Sequence, residues 1–402
     1  MKKFVSMLLA LVMVFALCAC GSKTEGGDKA ESKIKVGFIC LHDENSTYDK
    51  NFIDAAKAAC KNAGLSEDQY IIKTNIHEGQ ECYNAAAELV DDDCNVVFAD
   101  SFGHEDFMIQ AAKEFKDVQF CHATGTKAHT EKLSNYHNAF ASIYEGRYLA
   151  GVAAGMKLQQ LIDEGNIKPE EAVIGYVGAY SFAEVISGMT SYFLGARSVC
   201  PSVTMKVQFV GSWSDATEES NAASALCDLG CKLISQHSDN TTPATMAQSK
   251  GAFHTGYNND MTGVAPDASI IGCRIDWTNY FVYAIESVAN GQEFDQDYCY
   301  GYDHGDVGLT ELNEKIAAPG TAEKLAEVEA GLADGSIKVF DTSTFTVEGE
   351  TLTSAFALDT DGDFTPDSEE AVFDGAFHES YFQSAPYFAV KIDGIEWLNS
   401  AF

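Results

Sequence analysis

The chain has 402 residues, with 26 Lys and Arg against 60 Asp and Glu, a formal net charge of −34. Its length predicts two domains, because single cores stop growing at roughly 250–300 residues, and 46% apolar residues, with 25 Phe, 17 Tyr and 3 Trp, can fill them. The charge excludes a nucleic-acid partner, which needs clustered Lys and Arg, and it excludes adsorption to anionic lipid through a basic face.

Any membrane attachment has to come from a hydrophobic segment, and one stands at the start. Lys2 and Lys3 precede a nearly unbroken apolar run from Phe4 to Leu17. It is too short for a spanning helix of about 20 residues and has the length of a signal-peptide h-region. The sequence continues Leu17-Cys18-Ala19-Cys20-Gly21, which resembles the lipobox of bacterial lipoproteins. In that family the cysteine thiol receives a diacylglycerol and becomes the mature N-terminus. The resemblance implies a signal peptide over 1–19, lipidation at Cys20 and a place on the extracytoplasmic face of the cell membrane. An ordinary signal peptide with an incidental cysteine is the alternative. Ser22 to Ser32 is small, polar and poor in apolar residues, so 20–32 reads as a flexible, lipidated tether.

From residue 33 the pattern alternates between short strand-like runs and helical stretches. A strand over Ile34–Cys40 precedes a helix over Asn51–Lys61, with Phe52, Ala55, Ala56 and Ala59 on one face. Next come a strand at Tyr70–Ile76, a helix at Gln80–Val90 and a strand at Asn95–Ala99. A helix at Glu105–Phe115, a strand at Val118–Cys121 and a run at Asn138–Ala141 lead into a long helix through Tyr148–Leu161. After Gly165 and Pro169 the alternation restarts, with strands at Ala172–Val177, Thr204–Val210, Lys232–Ser235, Ala252–Tyr257 and Ser269–Arg274. Repeated β-α units of this kind build parallel sheets with helices on both faces. Two doubly wound α/β lobes are therefore expected, an N-terminal one over 33–145 and a C-terminal one over 146–275. Residues 276–402 supply crossover segments and elements that complete both lobes: helical chain from Trp277 to Leu332, a hairpin over Ser336–Leu352 turning at Val347–Glu350, and a last strand over Tyr387–Gly394. Such late additions require several crossings between the lobes, and hence a hinge.

Ten cysteines follow Cys20. An even count in an exported chain invites a disulfide framework, but that logic belongs to small domains without cores. Cys40, Cys121 and Cys273 lie in apolar strand-like runs, where Cys behaves as a small hydrophobe. Mostly free thiols are expected. Cys227-x₃-Cys231 lacks a second pair, which argues against zinc.

In open α/β sheets ligands bind beyond the carboxyl ends of strands, and those ends are rich in hydrogen-bonding groups. They read His42 to Asp49, Asp100 to His104, His122 to Gly125, Gly178 to Ser181, Gly211 to Asp215, Gln236 to Asp239, Tyr257 to Asp260 and Arg274 to Trp277. Helix capping accounts for Ser46, Asp215 and Asp239, but not for the aromatic residues Tyr48, Phe102 and Trp213 beside them. An aromatic plane next to Asp and Asn suits a flat heterocycle with polar substituents, although sugars stack on aromatics too.

Catalytic patterns are weaker. The chain contains no G-x-S-x-G elbow, Walker loop or H-E-x-x-H, and its histidines lack metal-ligand spacing, so neither a cofactor nor a metal site is expected. A carboxylate pair for glycoside hydrolysis is not marked among the acids. Asp359, Asp361, Asp363, Asp367 and Glu370 have calcium-loop spacing, but Phe364 stands where that loop needs Gly. An acidic solvated turn is the better reading.

Several stretches together resemble the BMP family of substrate-binding lipoproteins, also called basic membrane proteins, of the purine nucleoside receptor A type. Ser46-Thr47-Tyr48-Asp49-Lys50-Asn51-Phe52 is similar to the family's first loop, with Tyr48 in the aromatic slot. Tyr144-Glu145-Gly146-Arg147-Tyr148-Leu149-Ala150-Gly151 to Gly155 is similar to its E-G-x-Y-L-A-G-x-x-A segment, the most specific match. Ile174 to Gly178, Gly188 with Gly195-Ala196-Arg197, and Gly211-Ser212-Trp213-Ser214-Asp215 match further segments. The family's Ser-x-x-Lys strand end is replaced by Arg274-Ile275-Asp276-Trp277, a departure that touches the polar end of the ligand.

The resemblance implies a periplasmic-binding-protein type I fold, with two doubly wound parallel-sheet lobes joined by a three-crossover hinge. It implies an extracytoplasmic solute-binding lipoprotein, monomeric and without enzymatic activity, that captures a purine nucleoside in the interlobe cleft and delivers it to an ABC permease. Tyr48 and Trp213 would stack on the base. Asp49, Phe102, His122, Asp215, His237, Asn258 and Arg274 complete the expected ligand contacts. A surface enzyme acting on nucleosides or glycans, and a binder of a different small solute on the same fold, are the alternatives.

Overall fold

The computed structural model describes residues 34–358 and 366–401. The expected signal peptide, the tether with Cys20, and Asp359, Asp361 and Asp363 of the acidic loop lie outside the described residues.

The first half of the chain builds one sheet. In order it contains β1 (Val36–Ile39), α1 (Thr47–Asn62), β2 (Tyr70–Lys73), α2 (Gln80–Asp91), β3 (Val96–Ala99), α3 (Glu105–Glu114), β4 (Gln119–Ala123), α4 (Ala128–Glu131) and β5 (Tyr136–Ala141). All four residues of β1 and of β3 are buried, as parallel strands covered on both faces must be. Ser46 caps α1 by accepting from Asp49 N–H, and the helix buries Phe52, Ala55, Ala56 and Ala59, the face its spacing predicts.

The second half repeats the scheme with α5 (Ile143–Asp163), β6 (Val173–Gly178), α6 (Ala183–Val199), β7 (Thr204–Phe209), α7 (Ala216–Asp228), β8 (Leu233–His237), α8 (Thr242–Lys250), β9 (Phe253–Tyr257) and β10 (Ser269–Ile275). The chain then returns to the first lobe as α9 (Thr278–Asn290) and β11 (Asp297–Tyr300), and crosses again to β12 (Val307–Leu309). The first sheet runs β11-β5-β4-β3-β1-β2 and the second begins β12-β10-β9-β8-β6-β7. Every pairing in both is parallel except β10 with β12. The lobes are thus linked at Ser142, at Asp276–Trp277 and between Tyr300 and Val307. Three such links make a hinge.

The most specific sequence match has a structural cause. In α5, Gly151 and Gly155 lie against Gly195 and Ala196 of α6. A Cβ on Gly151 would sit 2.0 Å from the Tyr192 carbonyl oxygen, and one on Gly195 would sit 2.1 Å from that of Tyr148. Only hydrogen fits where the two backbones touch.

The last third departs from the sequence reading in three places. Chain expected to be helical from Trp277 to Leu332 contains β11 and β12 between α9 and α10 (Thr321–Ala333); these short edge strands are made by sheets already present, not by their own pattern. The expected hairpin over Ser336–Leu352 is irregular chain with two isolated bridges, Val347 to Glu350 within it and one from Asp341 to Ala376 outside it. Tyr387–Gly394 is not a strand. Consecutive Tyr387 and Phe388 are both buried, which a pleated strand facing solvent cannot do, and Phe388 stacks on Phe340 at 4.5 Å. After β13 (Phe356–Leu358), β14 (Pro366–Glu370), β15 (Val372–Phe373) and β16 (Ala376–Phe377), the final strand is β17 (Ile395–Trp397). It starts just past Gly394, whose φ of +97° makes the turn, and it adds to the outer side of β7. All ten described cysteines are free thiols.

Candidate functional site

The carboxyl ends of both sheets face one cavity. Its space, mouth included, is about 400 Å³. The first lobe contributes Leu41, His42, Tyr48 and Asp49 after β1, Asp100, Ser101 and Phe102 after β3, and Thr124 after β4. The second contributes Glu184 from the first turn of α6, Trp213 after β7, His237 at the end of β8 and Asp239 just beyond it, and Tyr257 from β9. The parallel topology, which sends every strand's carboxyl end the same way, is what collects residues so distant in sequence.

The lobes touch across this cavity. Thr47 N–H donates to the Asp239 carbonyl oxygen at 2.9 Å, and Asp239 N–H to that of Trp213 at 2.8 Å. Phe102 packs on Phe182 of the other lobe with centroids 5.5 Å apart. Phe182 in turn stacks on Tyr180 at 5.0 Å, and Tyr180 meets the Trp213 ring edge-on at 5.2 Å. On the hinge side Asn51 Nδ2 donates to the Ile275 carbonyl at 2.6 Å.

Carboxyl groups dominate the polar wall. Asp49, 1% exposed, accepts from His42 N–H at 2.7 Å and from Ser46 Oγ at 2.5 Å. Burial pushes its pKa up, but hydrogen bonds from His42, Asp100 and Ser46 outweigh this and hold it below the ordinary carboxylate range. Asp100 behaves oppositely. Burial, then the Asp49 charge, drives it well above that range, so the two carboxyls titrate as a pair that favours sharing one proton. The hydrogen bond with Asp49 raises the His42 ring. In the second lobe burial lifts Glu184 to about 7, against the pull of Arg147. Burial, then the Arg147 charge, holds His237 well below its usual value, so the His237–Glu184 contact at 3.2 Å is a hydrogen bond more than an ion pair. Burial and the charges of Asp49, Glu219 and Glu184 raise Asp239.

Behind Tyr257 lies the fully buried Arg147. Its Cζ is 3.4 Å from the Tyr257 ring centroid and its Nη1 donates to the Gln236 carbonyl at 2.7 Å, so a cation backs an aromatic wall. Cys40 Sγ and one oxygen each of Asp49 and Asp100 lie within 4.8 Å of one another. Burial, then the Asp100 charge, keeps the thiol protonated, and this donor set reads as a proton-sharing cluster. Ser101 Oγ is engaged in donating to Glu78 at 2.7 Å. The arrangement suits capture of a neutral molecule with a flat face and several hydroxyl donors.

Tyr48, Asp49, Phe102, Trp213 and His237, all expected from the sequence, line this cavity. Four expected residues do not. His122 is buried beneath it, with Nε2 on the Ser101 carbonyl at 2.7 Å. Asp215 is occupied in capping α7, accepting from Thr217 N–H and Glu218 N–H. Asn258 and Arg274 open instead onto a neighbouring groove shared with Lys50, Asn51 and Asp54, where Arg274 pairs with Asp276 at 3.3 Å. Asp100 and Tyr257, at the ends of β3 and β9, carry no signal of their own in the sequence. Asp239, expected to cap a helix, lines the cavity instead, and Thr241 stands at the N-cap of α8. Glu184 carried no signal, because an acid in a first helical turn looks like an ordinary dipole partner.

Comparison with known proteins agrees with this geometry. Residues 36–337 match the Bmp family, described as ABC transporter substrate-binding protein PnrA-like. The chain is 32% identical to a purine-binding protein of Brucella abortus, over 82% of this chain and 89% of that one. It is 33% identical to a Haloferax volcanii protein assigned by name to glucose binding in an ABC transporter, over 64% and 61% of the two chains. The fold is shared with an ABC transporter solute-binding protein from Aeropyrum pernix at a TM-score of 0.63 and 14% identity, over 76% of this chain and 93% of that one. The chain therefore belongs to the Bmp family of PnrA-like ABC transporter substrate-binding proteins, and its lobes form a periplasmic-binding-protein type I clamp that captures a small solute for such a transporter.

Proposed function

We propose that the solute is a purine nucleoside, bound and released chemically unchanged by a monomer that Cys20 anchors to the extracytoplasmic face of the membrane. The observation that carries the reading is the pairing of one aromatic from each lobe, Tyr48 and Trp213, with carboxyl groups of both lobes, Asp49, Glu184 and Asp239, in one cavity. The aromatic rings suit the two faces of a base, and a carboxylate accepts two hydroxyl donors as a ribose diol presents them. The name of the Brucella relative supports a purine. Phe102 packs on Phe182 across the lobes, and His237 and Tyr257 complete the lining from the second lobe.

A sugar is the second reading, favoured by the name of the Haloferax relative and by the same carboxyl groups. Calorimetric titration of adenosine, guanosine and inosine against glucose separates the two. At least one nucleoside is expected to bind tenfold or more tighter than glucose, about 1.4 kcal/mol or more; glucose as the tighter ligand overturns the proposal. Chromatography of the recovered ligand is expected to return the nucleoside intact. Appearance of free base would mark an enzyme.

A further inference from the structure

The cleft continues past Glu184. A second cavity, with about 1040 Å³ of space including its mouth, shares Phe102, Thr124 and Glu184 with the first. Part of its wall is chain beyond residue 337, where the family match ends: Gln383, Ala385 and Pro386. That wall is held firmly. Ser384 N–H donates to the two Asp297 carboxylate oxygens at 3.0 and 3.1 Å. Tyr387 N–H donates to Glu379 Oε1 at 2.8 Å, and Phe388 is buried against Phe340.

Held in this way, Gln383 is 4% exposed, and neither its Oε1 nor its Nε2 has a partner. Thr124, another lining residue, is 5% exposed with Oγ1 unpartnered. Burying such groups unsatisfied is costly. Of the other polar lining groups, Ser181 Oγ already donates to the Ala401 carbonyl and Thr126 Oγ1 to Glu105, and Glu184 stands at the border with the first cavity. The rest of the surface, from Phe102, Phe182, Ala183, Leu358, Ala385 and Pro386, is apolar. An amide and a hydroxyl waiting in an apolar chamber match a ligand group that is greasy along its length and polar at its end.

Resting on the nucleoside reading above, we propose that this chamber holds an uncharged, mostly apolar substituent of the ligand, whose terminal hydroxyl or amide is held by Gln383 and Thr124. The solute is then larger than a free nucleoside, and the C-terminal segment sets its specificity. The test uses calorimetry on the whole protein with adenosine, N6-(4-hydroxybenzyl)adenosine and 5′-O-(4-hydroxybenzoyl)adenosine, which extend the two ends of the nucleoside. One analogue is expected to bind about tenfold tighter than adenosine. Gln383→Leu is expected to remove most of that gain and leave adenosine within about twofold; Gln383→Met, of equal chain length, replaces it if the leucine variant melts too early to titrate. Two analogues weaker than adenosine, or a gain that both variants keep, overturns the proposal. If neither adenosine nor the analogues bind, the nucleoside reading itself fails and takes this one with it, a result distinct from adenosine binding alone.

Discussion

Thr47 and Asp239 belong to opposite lobes, and the N–H of the first donates to the carbonyl oxygen of the second at 2.9 Å. The bond joins the first turn of α1, which carries Tyr48, to the β8 end, whose own Asp239 N–H holds the Trp213 loop. Approach of the lobes and approach of the two aromatics are therefore one movement. With Phe102 against Phe182 at the mouth, the clamp is closed, and a ligand enters only when it opens.

Closure should consequently be visible in solution. Three links near Ser142, Asp276 and Tyr300 let the lobes rotate as rigid bodies. Small-angle scattering is expected to give a smaller radius of gyration with saturating adenosine than without ligand. Superimposable curves at saturation would count against the hinge.

The α5–α6 contact gives a prediction about stability alone. Gly195→Ala would place a methyl 2.1 Å from the Tyr148 carbonyl oxygen, a backbone atom that cannot swing aside. Overpacking of this kind costs about 1–3 kcal/mol or more. The variant is expected to melt earlier by that amount in denaturant titrations, while its folded fraction binds adenosine normally. Unchanged stability would mean the helices sit farther apart.

That contact also shows what the sequence can and cannot reveal. The glycines of the E-G-x-Y-L-A-G segment were legible as a family mark, but not as the place where two backbones meet, because the partner glycine lies in a different helix. The β-α alternation through Ile275 was legible because each unit buries its own apolar face. β11, β12 and β17 were not, since Asp297–Tyr300, Val307–Leu309 and Ile395–Trp397 become strands only by adding to existing edges. In the site, aromatics stood out against the capping background, whereas Asp100 and Glu184 became informative only once burial set their protonation. Arg274 lies apart for a related reason: on β10, whose neighbouring residues are buried on both sides, it is exposed.

Glu379 offers a test of that burial logic away from the cleft. It is 6% exposed, and burial lifts it to about 8 although Tyr387 and Phe388 N–H groups favour the charged form. Its pKa is higher folded than unfolded, so between about 4.5 and 8 the folded state binds the proton more tightly and stability falls as pH rises through that window. The loss is on the order of a few kcal/mol. Glu379→Gln keeps an acceptor for Tyr387 N–H, and is expected to be more stable than the parent at pH 8 and to flatten the profile between pH 5 and 8. Parallel profiles for the two proteins would contradict a buried, protonated carboxyl.

The proposed anchoring through Cys20 can be tested directly. Among the described residues no helix is long and apolar enough to cross a membrane, and the net charge repels anionic lipid. Cys20→Ala is expected to move the protein from the membrane fraction to the soluble one. Retention of the variant on membranes after a salt wash would defeat the lipoprotein reading.

The sharpest prediction concerns Trp213. The ring is only partly buried and leans on Tyr180 and Phe182 at 5.2 and 6.1 Å, surface neighbours in the same lobe, while its loop lines the cavity opposite Tyr48. Stacking of a base on one aromatic contributes about 1–3 kcal/mol, and tenfold in affinity is about 1.4 kcal/mol. Trp213→Ala is therefore expected to weaken purine-nucleoside binding by roughly 5- to 150-fold, with Trp213→Phe recovering most of the loss. The melting temperature of the unliganded alanine variant should stay close to that of the parent. A core tryptophan would behave differently, since removing one costs about 3–5 kcal/mol of stability. Calorimetry and thermal melts on the same variant separate the cases: affinity lost with stability kept places Trp213 against the base, and stability lost with affinity kept makes it a packing residue.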